Sequence, residues 1–244
     1  MAKVGIIGGS GLARLSTLRV THREVMHTPF GEASAPLTHG RLEALEVVFL
    51  PRHGPGHTIP PHKINYRANI WALKHIGVTQ VIGMAAVGGI TERMAPGQIC
   101  IPDQILDYTW GRTHTFFESD LAQVTHIDFT EPYCDEVRQA LVGAGRRAGI
   151  ELVVGGTYAA TQGPRLETAQ EIRRIERDGG DIVGMTGMPE AALAREVGLC
   201  YACCAVVVNR AAGKGEGPIT MAEIEANLLT GMEKARGLLA CLEV

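Results

Sequence analysis

Two polar residues carry chemistry that packing alone does not require. Glu167 lies in Thr161-Gln162-Gly163-Pro164-Arg165-Leu166-Glu167-Thr168, and Asn209 closes the apolar run Tyr201-Ala202-Cys203-Cys204-Ala205-Val206-Val207-Val208. A carboxylate accepts hydrogen bonds, and a carboxamide both donates and accepts. Together they can read the edge of a heterocycle. Each also has a plainer reading: Glu167 as a first-turn carboxylate favoured by a helix dipole, and Asn209 as a residue that ends a strand and starts a turn.

Two glycine-rich stretches could hold an anion. In Gly8-Gly9-Ser10-Gly11 backbone N–H groups and a hydroxyl can converge on an oxyanion, or the glycines can simply make a tight turn. The spacing is neither a P-loop nor a dinucleotide fingerprint. In Arg52-His53-Gly54-Pro55-Gly56-His57 a guanidinium fork suited to phosphate geometry sits beside imidazoles; the alternative is a solvated loop. A metal set of His53, His57 and His62 has no carboxylate or cysteine close in sequence to complete it. Gly-x-Ser-x-Gly is absent, which argues against a hydrolase nucleophile elbow. The carboxylates Asp103, Asp107, Glu118 and Asp128 are scattered, without a glycosidase-like pairing legible in sequence.

These residues need a frame that brings them together. Strand-like runs fall at 3–7, 46–50, 79–86, 98–102, 153–161, 181–185 and 200–208. Helical patterns fall at 61–76, stopped by Gly77; at 168–178, opened by the capping-box spacing Thr168 and Glu171; and at 189–197, with Pro189 in its first turn and Gly198 beyond its end. A last helix at 220–241 opens with Thr220 and Glu223 and repeats Met221, Ile224, Leu228, Met232, Ala235 and Leu239 at helical spacing. Alternating strands and helices predict an α/β fold with a largely parallel central sheet. Ligands in such sheets sit beyond the carboxyl ends of strands. Gly8–Gly11, Arg52-His53-Gly54, Ala85-Ala86-Val87-Gly88-Gly89, Thr186 and Asn209 all fall there.

With 244 residues, 45% of them hydrophobic and 20% charged, the chain has ample material for one larger domain spanning 1–244. A net charge of −3 without a basic block argues against nucleic acid as a partner. No apolar run approaches the roughly 20 residues of a membrane span, and the glycine-broken start does not read as a signal peptide. The expectation is a soluble, cytoplasmic protein. Cys200-x-x-Cys203 has the spacing of a redox or zinc half-site but lacks a second pair, and it lies in a strand-like run, so these cysteines are expected to be buried, free and apolar in behaviour.

Taken together, the chain resembles the trimeric nucleoside phosphorylase family, in its methylthioadenosine/methylthioinosine phosphorylase branch. The resemblance runs through Gly5-Ile6-Ile7-Gly8-Gly9-Ser10-Gly11-Leu12, Arg52-His53-Gly54, the stretch from Pro61 to Lys74, Gly163-Pro164-Arg165, and Gly184-Met185-Thr186-Gly187-Met188-Pro189-Glu190. It implies one α/β domain with a barrel-like mixed sheet flanked by helices, a homotrimer, and inorganic phosphate as co-substrate without metal or organic cofactor. By position, it implies that Ser10, Arg52, His53, the Ala86 backbone and Thr186 hold phosphate. Met185 then lies under the ribose, Leu166 belongs with the substrate-binding residues, and Glu167 and Asn209 act on the purine. The pattern departs at Ala85, where relatives often carry a hydroxyl or amide, so one phosphate contact is missing or falls to a water. In the family, methylthioadenosine phosphorylases carry serine and aspartate where this chain has Glu167 and Asn209, whereas the glutamate–asparagine pair belongs to 6-oxopurine enzymes. The chain has no histidine after His126 to meet a ribose 5′-hydroxyl; Ile219 and Met221 suit an apolar methylthio group, closed by His126 of a neighbouring subunit. The resemblance therefore implies phosphorolysis of S-methyl-5′-thioinosine. A methylthioadenosine phosphorylase with relaxed base choice, an inosine/guanosine phosphorylase, and a non-catalytic binder of nucleosides or small aromatics are the alternatives.

Overall fold

The computed structural model describes residues 3–9, 17–43, 45–119 and 121–243. Its strands are β1 (Val4–Gly8), β2 (Arg19–Glu24), β3 (His27–Thr28), β4 (Gly31–Glu32), β5 (Leu37–Leu42), β6 (Leu45–Pro51), β7 (Gln80–Gly89), β8 (Ile99–Ile101), β9 (Gln104–Asp107), β10 (Leu152–Val154), β11 (Thr157–Ala160), β12 (Ile182–Gly184) and β13 (Cys200–Arg210). The helices are α1 (Tyr66–His75), α2 (Asp135–Arg147), α3 (Ala169–Arg177), α4 (Gly187–Glu196) and α5 (Met221–Ala240). One mixed sheet runs in the order β10-β8-β13-β7-β1-β6-β5-β2. The long β7 pairs with β1 through its first half and, antiparallel, with β12 through Gly88 and Gly89. From β12 the pairing passes to β11 and β9. The sheet therefore branches and curls at β7, which gives the barrel-like aspect expected from the sequence.

Strand β13 explains how the core forms. Side chains alternate across a strand, so Tyr201, Cys203, Ala205 and Val207 join one apolar cluster with Ile70 and Leu73 of α1 and Leu193 of α4. Ala202, Cys204, Val206 and Val208 join the other, with Leu141 of α2 and Met232 and Leu238 of α5. A central strand covered on both faces reads as an unbroken apolar run, as this one does. Among the described residues no helix is long and apolar enough to cross a membrane.

Several boundaries differ from the sequence reading. The stretch 153–161 is two strands, split where Gly155 and Gly156 take φ values of 81° and 125°. The expected helix 61–76 is a short 3-10 turn at Pro61–Lys63 followed by α1, whose start is capped by the Asn65 side chain. α3 carries the full capping box of Thr168 and Glu171, but Thr220 at the head of α5 shows only the half in which its hydroxyl accepts from the Glu223 N–H. Strands β2 to β5 and helix α2 were not legible: β2 is exposed at five of its six positions, so it has no apolar alternation to reveal it. The cysteine expectation needs correction. Cys200 forms a disulfide with Cys134 across a Cα separation of 5.2 Å, while Cys203 is a free, buried thiol. A spacing of three puts Cys200 and Cys203 on opposite faces of one strand, so they cannot pair with each other.

Candidate active site

A cleft with a cavity volume of about 460 Å³ opens where β1, β6, β12 and β13 end and β7 passes its midpoint. Its walls bring together Arg52, His53, Ala86, Met185, Thr186, Leu166, Glu167, Asn209, Ile219 and Met221, ten of the twelve residues singled out from sequence. Ser10 lies outside the described residues, although its neighbour Gly9 lines the cleft. His126 is exposed and is not part of the cleft of its own chain.

Arg52 is not on a solvated loop; it is 1% exposed. Its Nε and Nη2 donate to the two carboxylate oxygens of Glu190 at 2.6 and 2.7 Å, and Nη1 donates to the Met84 carbonyl at 2.9 Å. Tyr201 adds its hydroxyl to the same carboxylate at 2.8 Å. Burial opposes the charge on Arg52, and Glu190 more than offsets it by attraction and hydrogen bonding, so the guanidinium is held charged. Three of its five N–H donors are spent on these contacts, which leaves one on each Nη. Gly9 approaches closely enough that a Cβ there would run into the Met84 carbonyl and crowd Arg52 Nη1.

His53 is set as an acceptor. Its Nδ1 lies 2.8 Å from the Ile59 carbonyl, which can only accept, so Nδ1 carries the proton and Nε2 a lone pair. Burial, then the nearby Arg52 charge, pushes its pKa down to about 4. Near neutral pH the anion end of the cleft therefore holds a compensated ion pair and a neutral imidazole. An oxyanion placed here would meet directed hydrogen bonds rather than net charge, and Nε2 would suit a protonated oxygen. Thr186 caps α4 without spending its hydroxyl on the helix, and its backbone N–H donates to the Tyr158 hydroxyl at 3.3 Å. Ala85 lines the same wall and brings no polar side chain.

Asn209, on another wall of the cleft, is placed by a bulge. Val207 pairs with Val87 and Asn209 with Gly88, so Val208 is the extra residue, and a bulge re-aims the side chains beside it. Asn227 of α5 donates to the displaced Val208 carbonyl at 2.8 Å. Asn209 therefore does not end the strand; it sits one residue inside it, 6% exposed. Its Nδ2 donates to the Arg210 carbonyl at 2.6 Å. That contact fixes which way the amide points and leaves one N–H and Oδ1 for a ligand. Glu167 lies ahead of α3 rather than in its first turn, and its Oε1 accepts from the Thr161 hydroxyl at 2.7 Å. Gly163, at φ 61°, lets the loop pass Met185, whose sulfur a Cβ would strike.

Sequence reasoning missed three positioning groups. Glu190 was quoted without a role, yet a carboxylate set in the apolar first turns of α4, away from the charged end at Arg195 and Glu196, demands a cation when it is buried. Asn227 and Arg112 gave no such signal. Arg112 is buried and carries no carboxylate partner among its contacts; instead it donates to the carbonyls of Thr161, Gln162, Met185 and Met188. It thereby ties the Glu167 loop to the Met185–Thr186 loop.

Comparison with known proteins identifies the family of the chain. The profile of the phosphorylase superfamily matches residues 3–242. The chain is 54% identical to the probable S-methyl-5′-thioinosine phosphorylase of Pseudomonas syringae pv. tomato over 98% of each chain. It is 48% identical to the 6-oxopurine nucleoside phosphorylase of Pyrococcus furiosus, over 92% of this chain and 85% of that one. The methylthioadenosine phosphorylase of Schistosoma mansoni, solved with adenine, superposes with a TM-score of 0.94 at 36% identity, over 99% of this chain and 90% of that one.

Two measurements test the electrostatics. Glu190→Gln leaves a buried guanidinium uncompensated, and loss of one partner of such a pair costs about 3–5 kcal/mol; urea unfolding should show that loss, and a change under about 1 kcal/mol would remove the pair from its central place. The native state holds His53 neutral down to about pH 4, whereas the unfolded chain protonates near 6.5. The unfolded state thus binds the extra proton between these values, and stability rises with pH across that window. His53→Gln should flatten this part of the pH–stability curve; an unchanged slope would mean that His53 titrates normally.

Proposed function

The chain belongs to the phosphorylase superfamily, and on that premise we propose that it cleaves the N-glycosidic bond of S-methyl-5′-thioinosine with inorganic phosphate. The products are hypoxanthine and 5-methylthioribose 1-phosphate. By family and by its named relatives the chain is a purine nucleoside phosphorylase; the choice of nucleoside rests on its own cleft. The observation that carries it is the presence, in one cleft, of Glu167 and Asn209 together with the apolar Ile219, Met221, Ile224 and Leu228.

Hypoxanthine presents N1–H, which Glu167 accepts, and O6, which takes the remaining N–H of Asn209. Asn209 Oδ1 then faces N7 and accepts once N7 is protonated. Adenine has a bare N1, which would confront carboxylate lone pairs. A site built for one hydrogen-bond pattern rejects the other because buried polar groups are left unpaired. Phosphate lies beneath C1′, held by Ser10, Arg52, His53, the Ala86 N–H and Thr186, with Met185 under the ribose and Leu166 beside the base. As the bond to N9 loosens, the ribosyl group gains oxocarbenium character, phosphate stabilises it and then captures it, and the purine departs with its charge stabilised by Asn209 and Glu167. This is a pentosyl transfer run by positioning and electrostatics. It uses no metal or organic cofactor.

The same reading takes 1–244 as one cytoplasmic phosphorylase domain in a homotrimer. Met221, at the methylthio end, is 65% exposed in the single chain, so that end of the cleft needs a cover. His126 of a neighbouring subunit is the group assigned to it.

Phosphate-dependent release of free base tests the assignment. S-methyl-5′-thioinosine should be the best substrate, ahead of S-methyl-5′-thioadenosine, inosine and guanosine. Preference for inosine would overturn the sugar assignment, preference for the 6-amino nucleoside would overturn the base assignment, and tight binding without turnover would favour a non-catalytic binder. Sedimentation should give a trimer; a monomer with full activity would remove His126 from the site.

A further inference from the structure

Glu167 stands in the wall between two spaces. On one side is the nucleoside cleft; on the other is an outer cavity of about 370 Å³ whose lining includes Tyr108, Trp110, Arg165 and Arg174. The carboxylate belongs to both linings, and the two guanidinium groups favour its turning outward. A carboxylate that reads a ring N–H must instead keep one oxygen turned to the cleft. Thr161 supplies the restraint: its hydroxyl holds Glu167 Oε1 at 2.7 Å, and among the described residues no hydrogen bond occupies Oε2.

Thr161 is itself held from three directions. Its backbone N–H donates to the Gly184 carbonyl at 2.8 Å, its own carbonyl accepts from Arg112 Nη2 at 3.1 Å, and it follows the last residue of β11. The hydroxyl has a weaker second acceptor in the Gly184 carbonyl at 3.3 Å, but the backbone N–H already satisfies that oxygen. Removing the hydroxyl therefore strands no buried acceptor except at Glu167.

We propose that Thr161 is the positioning residue that sets 6-oxopurine selectivity, by pinning one oxygen of Glu167 in the wall between the cavities so that the other is presented to the purine edge. This rests on Glu167 being the reader of the base. Thr161 touches neither base nor phosphate in this scheme and acts only through Glu167.

Thr161→Val keeps the shape and removes the hydroxyl, and Thr161→Ser restores it; Glu167→Gln serves as the reference. The kcat/KM values for S-methyl-5′-thioinosine and S-methyl-5′-thioadenosine are measured at saturating phosphate, together with the KM for phosphate and Tm. Thr161→Val should lower the 6-oxo to 6-amino ratio of kcat/KM about tenfold, as expected when a hydrogen bond to a charged group is lost. The KM for phosphate and Tm should stay near wild type, and Thr161→Ser should recover most of the ratio. An unchanged ratio in Thr161→Val, with a collapsed ratio in Glu167→Gln, overturns the role of Thr161 while leaving Glu167 as reader. An equal loss on both nucleosides with a lowered Tm reduces Thr161 to a packing role. A ratio unchanged in Glu167→Gln overturns the reading of the base site itself, and the proposal with it.

Discussion

The buried pair of Arg52 and Glu190 is the interaction on which the cleft depends. It joins the loop after β6 to α4, and through Tyr201 and the Met84 carbonyl it reaches β13 and β7. Four segments thus meet around a buried pair at the wall of the cleft. Such a pair is weak evidence for stability in itself, because desolvation consumes most of the attraction, but either half alone is intolerable there. Its consequence is geometric: the guanidinium is locked, and its free N–H groups are aimed by the fold rather than by the ligand. With His53 neutral beside it, this part of the cleft offers placed donors and acceptors rather than net charge.

The base end is built by a different device. β13 pairs with β7 in unbroken register from Cys200 to Val207. A single extra residue at Val208 then changes the direction in which Asn209 points, and α5 absorbs the displaced carbonyl through Asn227. The same helix delivers Met221, Ile224 and Leu228 to the wall of the cleft. One strand–helix contact therefore links the setting of Asn209 to the helix that carries these apolar side chains. Arg112 does the equivalent work on the opposite wall, by gathering carbonyls from the two loops that carry Glu167 and Met185.

Much of the frame was legible before any coordinates. β1, β6 and β13 declare themselves as apolar runs because they are covered on both faces, and α3 declares its start through Thr168 and Glu171. Strand β2 was silent because its side chains face solvent, and α2 because Gly143 and Gly145 dilute its pattern. Arg52 was legible as an anion-binding candidate but not as a buried ion pair, since its partner lies 138 residues away. The pairing of Cys134 with Cys200 was hidden for the same reason, across 66 residues. Glu190 was the one positioning group with a local clue, a charge in the apolar first turns of a helix whose other charges lie at its far end.

The sequence by itself determined which chemistry is available: a carboxylate and a carboxamide able to read a heterocycle edge, an arginine and a histidine suited to an oxyanion, and no histidine after His126. Those are properties of residue types and local order, and they survive without a fold. Only the tertiary structure decided how each group is presented. Whether Arg52 is free or paired, which nitrogen of His53 carries the proton, which face of Asn209 remains open, and which oxygen of Glu167 is held depend on carbonyls and carboxylates from distant segments. Hydrogen bonds are short and directional, so those facts exist only once the chain has closed around them.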